Sequence, residues 1–345
     1  MLLLRVPTGE RLTATVSAHS PSNMSGPAPV STLGVDTLVE YLHEHGCLFR
    51  DVEEFKRKLT KVIVDGPENL FCISDFDFTL SKYFRPDGTT RADSCHASLE
   101  NAPMLDATYT TAAKALQAHY YPLEIDSTIS EPDRFRYMEE WVEKHNALLV
   151  QSRITPRSIR QVVSKALDDN RLVLRRGLEQ LVSILGEQNI PLLIFSAGIA
   201  DVVEVAVTKT LGVDQLPAGV SLISNRMIFR DSSDEDSPLV DWSRPFLHVL
   251  NKRALEFLNH DFFKAVKSSE RRNLLLFGDS PGDPRMSIGV EEDFCETVIK
   301  VGFLNVSVEE RKAEFLKSYD VAFVGDPDLE SSLIPILQLV LLQLR

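Results

Sequence analysis

Leu70-Phe-Cys-Ile-Ser-Asp75-Phe-Asp-Phe-Thr79 opens as four apolar residues and within a few positions becomes a pair of carboxylates spaced two apart. A short apolar run such as Leu70 to Ile73, bounded by polar residues, reads as a strand buried on both faces of a parallel sheet. Ligands of such sheets gather at the carboxyl ends of strands, so Asp75 and Asp77 stand where chemistry is expected. One carboxylate can attack phosphorus while the other handles protons. Taken alone, D-x-D-x-T also fits a polar turn with solvated aspartates.

Outward from this stretch, Pro191 to Phe195, Leu274 to Phe277 and Val321 to Val324 are runs of the same kind. Around them, segments 51–64, 175–188, 199–211, 252–267 and 308–318 carry apolar residues at three- and four-residue spacing, the mark of amphipathic helices. Alternating strands and helices predict an α/β fold with a doubly wound parallel sheet. From Leu80 to about Arg175 the strand signal stops, and Thr111–His119, Pro132–Val150 and Ile159–Leu167 read as helices. About ninety residues is too long for an idle loop. The expected organisation is an N-terminal tail over 1–35, a catalytic core over 36–80 and 175–345, and an inserted helical cap over 81–174.

The chain has 345 residues, 43% of them apolar, enough for such a core and cap. Its 37 basic and 50 acidic residues give a net charge of −13, which disfavours nucleic acid polymers and anionic membranes as partners. A small anionic substrate stays possible if a bound cation inverts the local potential. A monomer is expected. Cysteines 47, 72, 95 and 295 form no C-x-x-C pair, so a reducing, cytoplasmic setting fits better than a disulfide framework or a zinc knuckle. Cys95-His96 is half of a metal-binding pattern without its other half. The first thirty residues hold Arg5, Arg11, many Ser and Thr and the single acid Glu10, consistent with a disordered tail or an organelle-targeting peptide. Leu333–Leu344 is apolar but too short and too interrupted to cross a bilayer, and reads as a terminal helix. The acidic run Asp231 to Asp236 reads as a solvated hairpin tip.

Two further strand ends carry polar clusters. Ser196-Ala197-Gly198, after Pro191–Phe195, offers a hydroxyl and backbone N–H groups as an anion cradle. Gly278-Asp279-Ser-Pro-Gly-Asp283 adds two aspartates after Leu274–Phe277. Four converging carboxylates demand positive charge, and a hard divalent cation with oxygen ligands, Mg²⁺, is the expected answer. Lys252, expected at the start of a helix, would supply a fixed cation.

The order D-x-D-x-T, Ser, Lys, G-D-x-x-G-D resembles the haloacid dehalogenase superfamily of phosphohydrolases. Phe71 to Ser81, Ile194 to Ile199 with Asp201, His248-Val-Leu-Asn-Lys252 and Phe277 to Met286 are similar to the cytosolic 5'-nucleotidase III, or pyrimidine 5'-nucleotidase, family. Tyr120-Tyr121-Pro-Leu-Glu124, Tyr137-Met-Glu-Glu-Trp141 and Leu148-Leu-Val150 extend the likeness through the cap, over roughly residues 45 to 340.

The resemblance implies a nucleophile, Asp75, and an acid/base, Asp77. It implies Mg²⁺ held by Asp75, the Asp77 carbonyl and Asp279, with Asp283 in support. Thr79 would fix the motif, while Ser196, the Ala197 N–H and Lys252 would hold phosphate oxygens. Glu124 would accept hydrogen bonds from the base. Val142 and His145 depart from the family pattern, so His145 could meet the base by stacking or hydrogen bonding. The implied substrate is a nucleoside 5'-monophosphate, CMP or UMP first. A 7-methylguanosine monophosphate preference, a nucleoside phosphotransferase and a phosphatase of a non-nucleotide metabolite are the alternatives. A non-enzymatic binding module fits poorly, because every charged catalytic position is filled.

Overall fold

The computed structural model describes residues 32–126 and 128–341. The tail expected over 1–35 lies outside these up to residue 31; from Thr32 the chain is already helical.

Nine strands form among the described residues, in chain order β1 (Leu48–Phe49), β2 (Leu70–Ser74), β3 (Leu192–Ile199), β4 (Val220–Asn225), β5 (Met227–Phe229), β6 (Leu239–Trp242), β7 (Asn273–Gly278), β8 (Thr297–Leu304) and β9 (Val321–Val324). Seven of them make one sheet in the order β1-β9-β8-β7-β2-β3-β4. All its pairings are parallel except β1 with β9 at the edge. β2 lies centrally, and the chain builds outward from it first through β3 and β4, then returns to lay β7, β8 and β9 on its other side. That reversal opens a crevice at the carboxyl ends of β2, β3 and β7.

The helices are α1 (Thr32–Glu44), α2 (Val52–Asp65), α3 (Cys95–Glu100), α4 (Ala107–Ile125), α5 (Glu131–Gln151), α6 (Pro156–Asp168), α7 (Leu178–Glu187), α8 (Ala200–Leu211), α9 (Asp261–Ser268), α10 (Val290–Asp293), α11 (Val308–Ser318) and α12 (Leu333–Leu341). Because strand side chains alternate between faces, β2 sends Leu70 and Cys72 one way and Phe71 and Ile73 the other. The first pair joins Leu192, Ile194, Leu275 and Phe277 in a core with Phe55 and Leu59 of α2 and Leu337 of α12. The second joins Leu193, Phe195, Leu274 and Leu276 in a core with Phe262, Phe263 and Val266 of α9. Both faces are therefore covered, which is why β2 and β7 read as unbroken apolar runs.

Local chemistry sets the ends of these elements. Asp51 caps α2 by accepting from the Glu54 N–H at 3.0 Å, and Gly66, at φ 83°, ends it in a conformation that side-chain-bearing residues avoid. The insertion between β2 and β3 is built from α3 to α6. Its two strands of connecting chain lie side by side: Ser81 bridges Leu174, the Lys82 N–H donates to Val173 O at 2.7 Å, and the Arg175 N–H donates to Leu80 O at 2.9 Å. α4 runs through Pro122 to Ile125, beyond the expected end at His119, since a proline in the last turn removes only one donor.

Other expectations change. The helix predicted over 252–267 is a turn and a short 3-10 segment, Ala254–Phe257, with α9 starting only at Asp261. Lys252 therefore lies in a turn and not at a helix start: the Asn251 side chain donates to Phe246 O at 2.7 Å and accepts from the His248 N–H at 2.8 Å, fixing an irregular path. Strand β8 was not among the four expected runs, because Lys300 interrupts it; its ammonium reaches Glu291 at 2.7 Å. The run Asp231 to Asp236 does fall in the connection between the paired strands β5 and β6, but it is tied to α6 through Arg157–Asp236 (2.7 Å) and Arg160–Glu235. No helix of the described residues is long and apolar enough to cross a membrane.

Leu275 is fully buried in β7, beside β2. Leu275→Ala should lower unfolding free energy by about 2–5 kcal/mol, read as a lower urea midpoint with an unchanged slope.

Candidate active site

Asp75 follows β2 directly and is 6% exposed; its N–H donates to Phe277 O of β7 at 3.0 Å, which fixes the strand end. The Lys252 ammonium sits between two carboxylates, donating to Asp75 Oδ1 at 2.5 Å and Asp283 Oδ1 at 2.9 Å. The other oxygen of Asp283 accepts from the Asp279 N–H at 3.0 Å, the Ser280 N–H at 2.9 Å and the Ser280 hydroxyl at 3.0 Å. Asp283 is thus a strut that anchors Lys252 and shapes the loop after β7. Tyr319 supports that loop from beneath, its hydroxyl donating to Ser280 O at 2.6 Å.

Burial pushes the Asp75 carboxyl up to about 7 against the pull of Lys252, and raises Asp279 well above the carboxylate range, with Asp283 and Asp75 adding to it. Burial works against the Lys252 ammonium too, but Asp283 and Asp75 together hold its pKa above the ordinary value. Ligand oxygens of Asp75, Asp279 and Asp283 lie within 4.8 Å of one another. Three hard carboxylate donors so close, with one ammonium between them, fit a hard divalent cation. Cys95 and His96 are in no such cluster among the described residues.

The remaining predicted residues fall into two groups. Around the carboxylates, Asp77 Oδ1 accepts from the Cys95 N–H at 2.8 Å; burial pushes its carboxyl up to about 6, with that hydrogen bond opposing. Thr79 is fully buried, and its hydroxyl has no hydrogen-bond partner among the described residues. Ser196 lies within β3, which runs on past the expected end at Phe195 with a register shift before Ile199; its Oγ accepts from the Gly198 N–H at 3.0 Å. Ala197 follows it, partly exposed, with its carbonyl held by Asn225 Nδ2 at 2.9 Å.

In the insertion, Glu124 is half-buried in the last turn of α4. Its surroundings push the carboxyl up to about 7, and Arg91 opposes this. His145 is not on an open helix face: its ring is 3% exposed, with Nε2 3.3 Å from the Tyr109 hydroxyl and 3.5 Å from Glu100. The His96 ring meets it edge-on at 4.8 Å, and Nδ1 of His145 has no hydrogen-bond partner among the described residues.

Residues that no motif pointed to also build the site. Asn225 donates to the carbonyls of Ala197 (2.9 Å), Gly198 (3.2 Å) and Leu247 (2.9 Å), joining the serine turn to the segment leading to Lys252. Glu131 of α5 reaches Arg285 at 2.8 Å and Arg253 at 3.7 Å, and Phe135 meets His248 edge-on at 4.7 Å, so α5 rests on the loops that carry Lys252 and Asp283. In sequence these are ordinary surface charges and rings, and only the fold pairs them.

A doubly wound sheet whose central strand ends on Asp75, with the clusters from β3 and β7 on either side, places the chain among the haloacid dehalogenase-like phosphohydrolases. Within that class it belongs to the pyrimidine 5'-nucleotidase (UMPH-1) family, whose model matches residues 78–341; the family's members are phosphoric monoester hydrolases. A 7-methylguanosine phosphate-specific 5'-nucleotidase A of Xenopus laevis is 35% identical over 81% of this chain and 91% of its own length. A 7-methylguanosine phosphate-specific 5'-nucleotidase of Homo sapiens is 34% identical over 77% of this chain and 83% of its own. Among solved structures, cytosolic 5'-nucleotidase IIIB bound to cytidine superposes with a TM-score of 0.77 at 26% identity, covering 90% of this chain and 99% of the other.

At Gly278 a side chain would run into the Asp283 side chain and lie 2.6 Å from the Tyr319 hydroxyl. Gly278→Ala should cost about 1–3 kcal/mol of stability and displace Asp283, so phosphatase turnover should fall even below the melting transition. Calorimetry paired with a turnover assay checks both.

Proposed function

We propose that this chain is a Mg²⁺-dependent 5'-nucleotidase that hydrolyses nucleoside 5'-monophosphates through an aspartyl-phosphate on Asp75. The observation that carries the reading is the convergence of Asp75, Asp279 and Asp283, the first and last of them buried and bridged by Lys252. Asp75 and Asp77 precede the segment matched by the family model, so their assignment rests on the strand end they occupy.

Asp75 Oδ attacks phosphorus, and the bond from phosphorus to the ribose 5' oxygen breaks. Asp77 gives its proton to that oxygen, then accepts one from the water that attacks the phosphorylated Asp75, releasing phosphate and restoring the carboxylate. A carboxyl pushed up toward 6 is suited to giving and taking a proton near neutrality. Mg²⁺ would be held by Asp75, the Asp77 carbonyl and Asp279, with Asp283 in support, and when bound would neutralise the phosphoryl charge. Ser196, the Ala197 N–H and Lys252 hold the phosphoryl oxygens, and Thr79 fixes the loop. The cap, over 81–174, selects the base through Glu124, which accepts its hydrogen bonds; His145, its ring enclosed by Tyr109, Glu100 and His96, meets no base directly. The enzyme works as a cytoplasmic monomer.

CMP and UMP are the first proposed substrates. A second reading, 7-methylguanosine monophosphate, is favoured by the names of the relatives in frog and human. Its base carries a positive charge, which a half-buried carboxylate such as Glu124 would stabilise.

A panel of CMP, UMP, 7-methyl-GMP and a non-nucleotide phosphomonoester should show Mg²⁺-dependent release of phosphate from at least one nucleotide in preference to the non-nucleotide. Chelation should abolish it. Asp75→Asn should eliminate turnover while the fold remains; retained activity would exclude the mechanism. Glu124→Gln should raise KM for the preferred nucleotide more than it lowers kcat.

A further inference from the structure

Arg175 is among the largest fully buried side chains of the described residues, and it belongs to none of the phosphohydrolase motifs. Its guanidinium has five N–H donors, and five acceptors surround them. Nε donates to Thr79 O at 2.7 Å, and one terminal nitrogen to Phe78 O at 2.8 Å and Asn305 Oδ1 at 2.9 Å. The other reaches Pro327 O and Asp326 Oδ1, the latter at 2.9 Å. Its face lies over the Phe303 ring at 4.3 Å. Burial pulls its pKa down to about 10, with Asp326 opposing, so it is charged at neutral pH.

Two of the acceptors belong to the loop that carries the aspartates. Phe78, directly after Asp77, has φ 61°, a left-handed conformation that costs a residue with a side chain about 1 kcal/mol or more. The surroundings hold it there. Its carbonyl accepts from Arg175 and, at 3.0 Å, from Asn305 Nδ2, while its N–H donates to Ser81 Oγ at 2.8 Å. Without that turn the chain could not leave β2 with Asp75 and Asp77 facing one site and then enter the insertion.

The network also reaches the insertion. Asp326, the ionic partner of Arg175, accepts from the N–H groups of Tyr83 and Phe84, both at 3.0 Å, where the chain departs. Arg175 itself stands where the chain returns. A buried ion pair is a poor way to gain stability alone, since desolvation offsets most of the attraction. A planar fork that meets five acceptors is a good way to fix several carbonyls at once.

We propose that Arg175 is a positioning residue for the nucleotidase reaction: through the Phe78 and Thr79 carbonyls it sets the aim of Asp75 and Asp77, and through Asp326 it ties that aim to the placement of the insertion. The inference rests on the reading of Asp75 and Asp77 as the reacting pair.

The test uses the full chain with Mg²⁺ and two substrates, the preferred nucleotide and p-nitrophenyl phosphate, which needs the aspartate chemistry but no base contact. Arg175→Lys keeps a charge beside Asp326 but cannot span both loop carbonyls. Its kcat should fall about ten-fold or more on both substrates with KM within about three-fold, since misplacing a reacting group costs rate more than binding. Asn305→Ala, which removes the second donor to Phe78 O, should move kcat in the same direction by less. Leu275→Ala, which leaves the hydrogen bonds of the loop in place, serves as the control for lost stability. A folded Arg175→Lys protein with kcat within two-fold of the parent, a rise in KM alone, or a kcat loss no larger than that of Leu275→Ala overturns the proposal. Activity of the parent on p-nitrophenyl phosphate but not on nucleotides would overturn the nucleotidase reading and leave this one standing on the same measurements.

Discussion

The structure around the crevice depends on one constraint: three aspartates from two strand ends must share a buried space without forcing one another apart. Lys252 answers part of it, bridging Asp75 and Asp283 at 2.5 and 2.9 Å. The rest falls to backbone geometry. Asp283 spends its second oxygen on two N–H groups and a hydroxyl of its own loop, and Tyr319 and the side-chain-free Gly278 give that loop room. Charge that would otherwise destabilise the fold is fixed in direction, which is what a phosphoryl-transfer site requires.

Around this centre the layers divide the work. The doubly wound sheet, closed by a core on each face, makes the strand ends rigid. The insertion leaves and re-enters beside Asp75, and α5 rests back on the loops of Lys252 and Asp283 through Glu131 and Phe135. Arg175 and Asn225 stand between scaffold and site: one gathers carbonyls after β2, the other carbonyls in the last residues of β3. Each satisfies polar groups that would be costly to bury unpaired.

The parts of this architecture visible in the sequence are those whose physics is local. Leu70–Ile73 and Leu274–Phe277 announced buried strands because both faces are covered, and the aspartates stood out because they follow such runs. β8 escaped because Lys300, which belongs to an ion pair with Glu291, breaks its apolar run. The turn at Lys252 has an apolar spacing that suits a helix; the Asn251 hydrogen bonds that prevent one are not a periodic signal. Arg175 had no local mark at all, since its partners lie about a hundred or more residues away in sequence. His145 shows the limit from the other side: its departure from the family pattern was legible, but its enclosure by Glu100, Tyr109 and His96 was not.

The account turns on Asp75 becoming covalently phosphorylated. Rapid acid quench of the Mg²⁺-loaded enzyme during turnover of a nucleotide labelled in its phosphate, followed by peptide mapping, addresses this directly. The account predicts a hydroxylamine-labile label on the peptide containing Asp75. Turnover with no trapped label at any quench time, or a label on another residue, would contradict it.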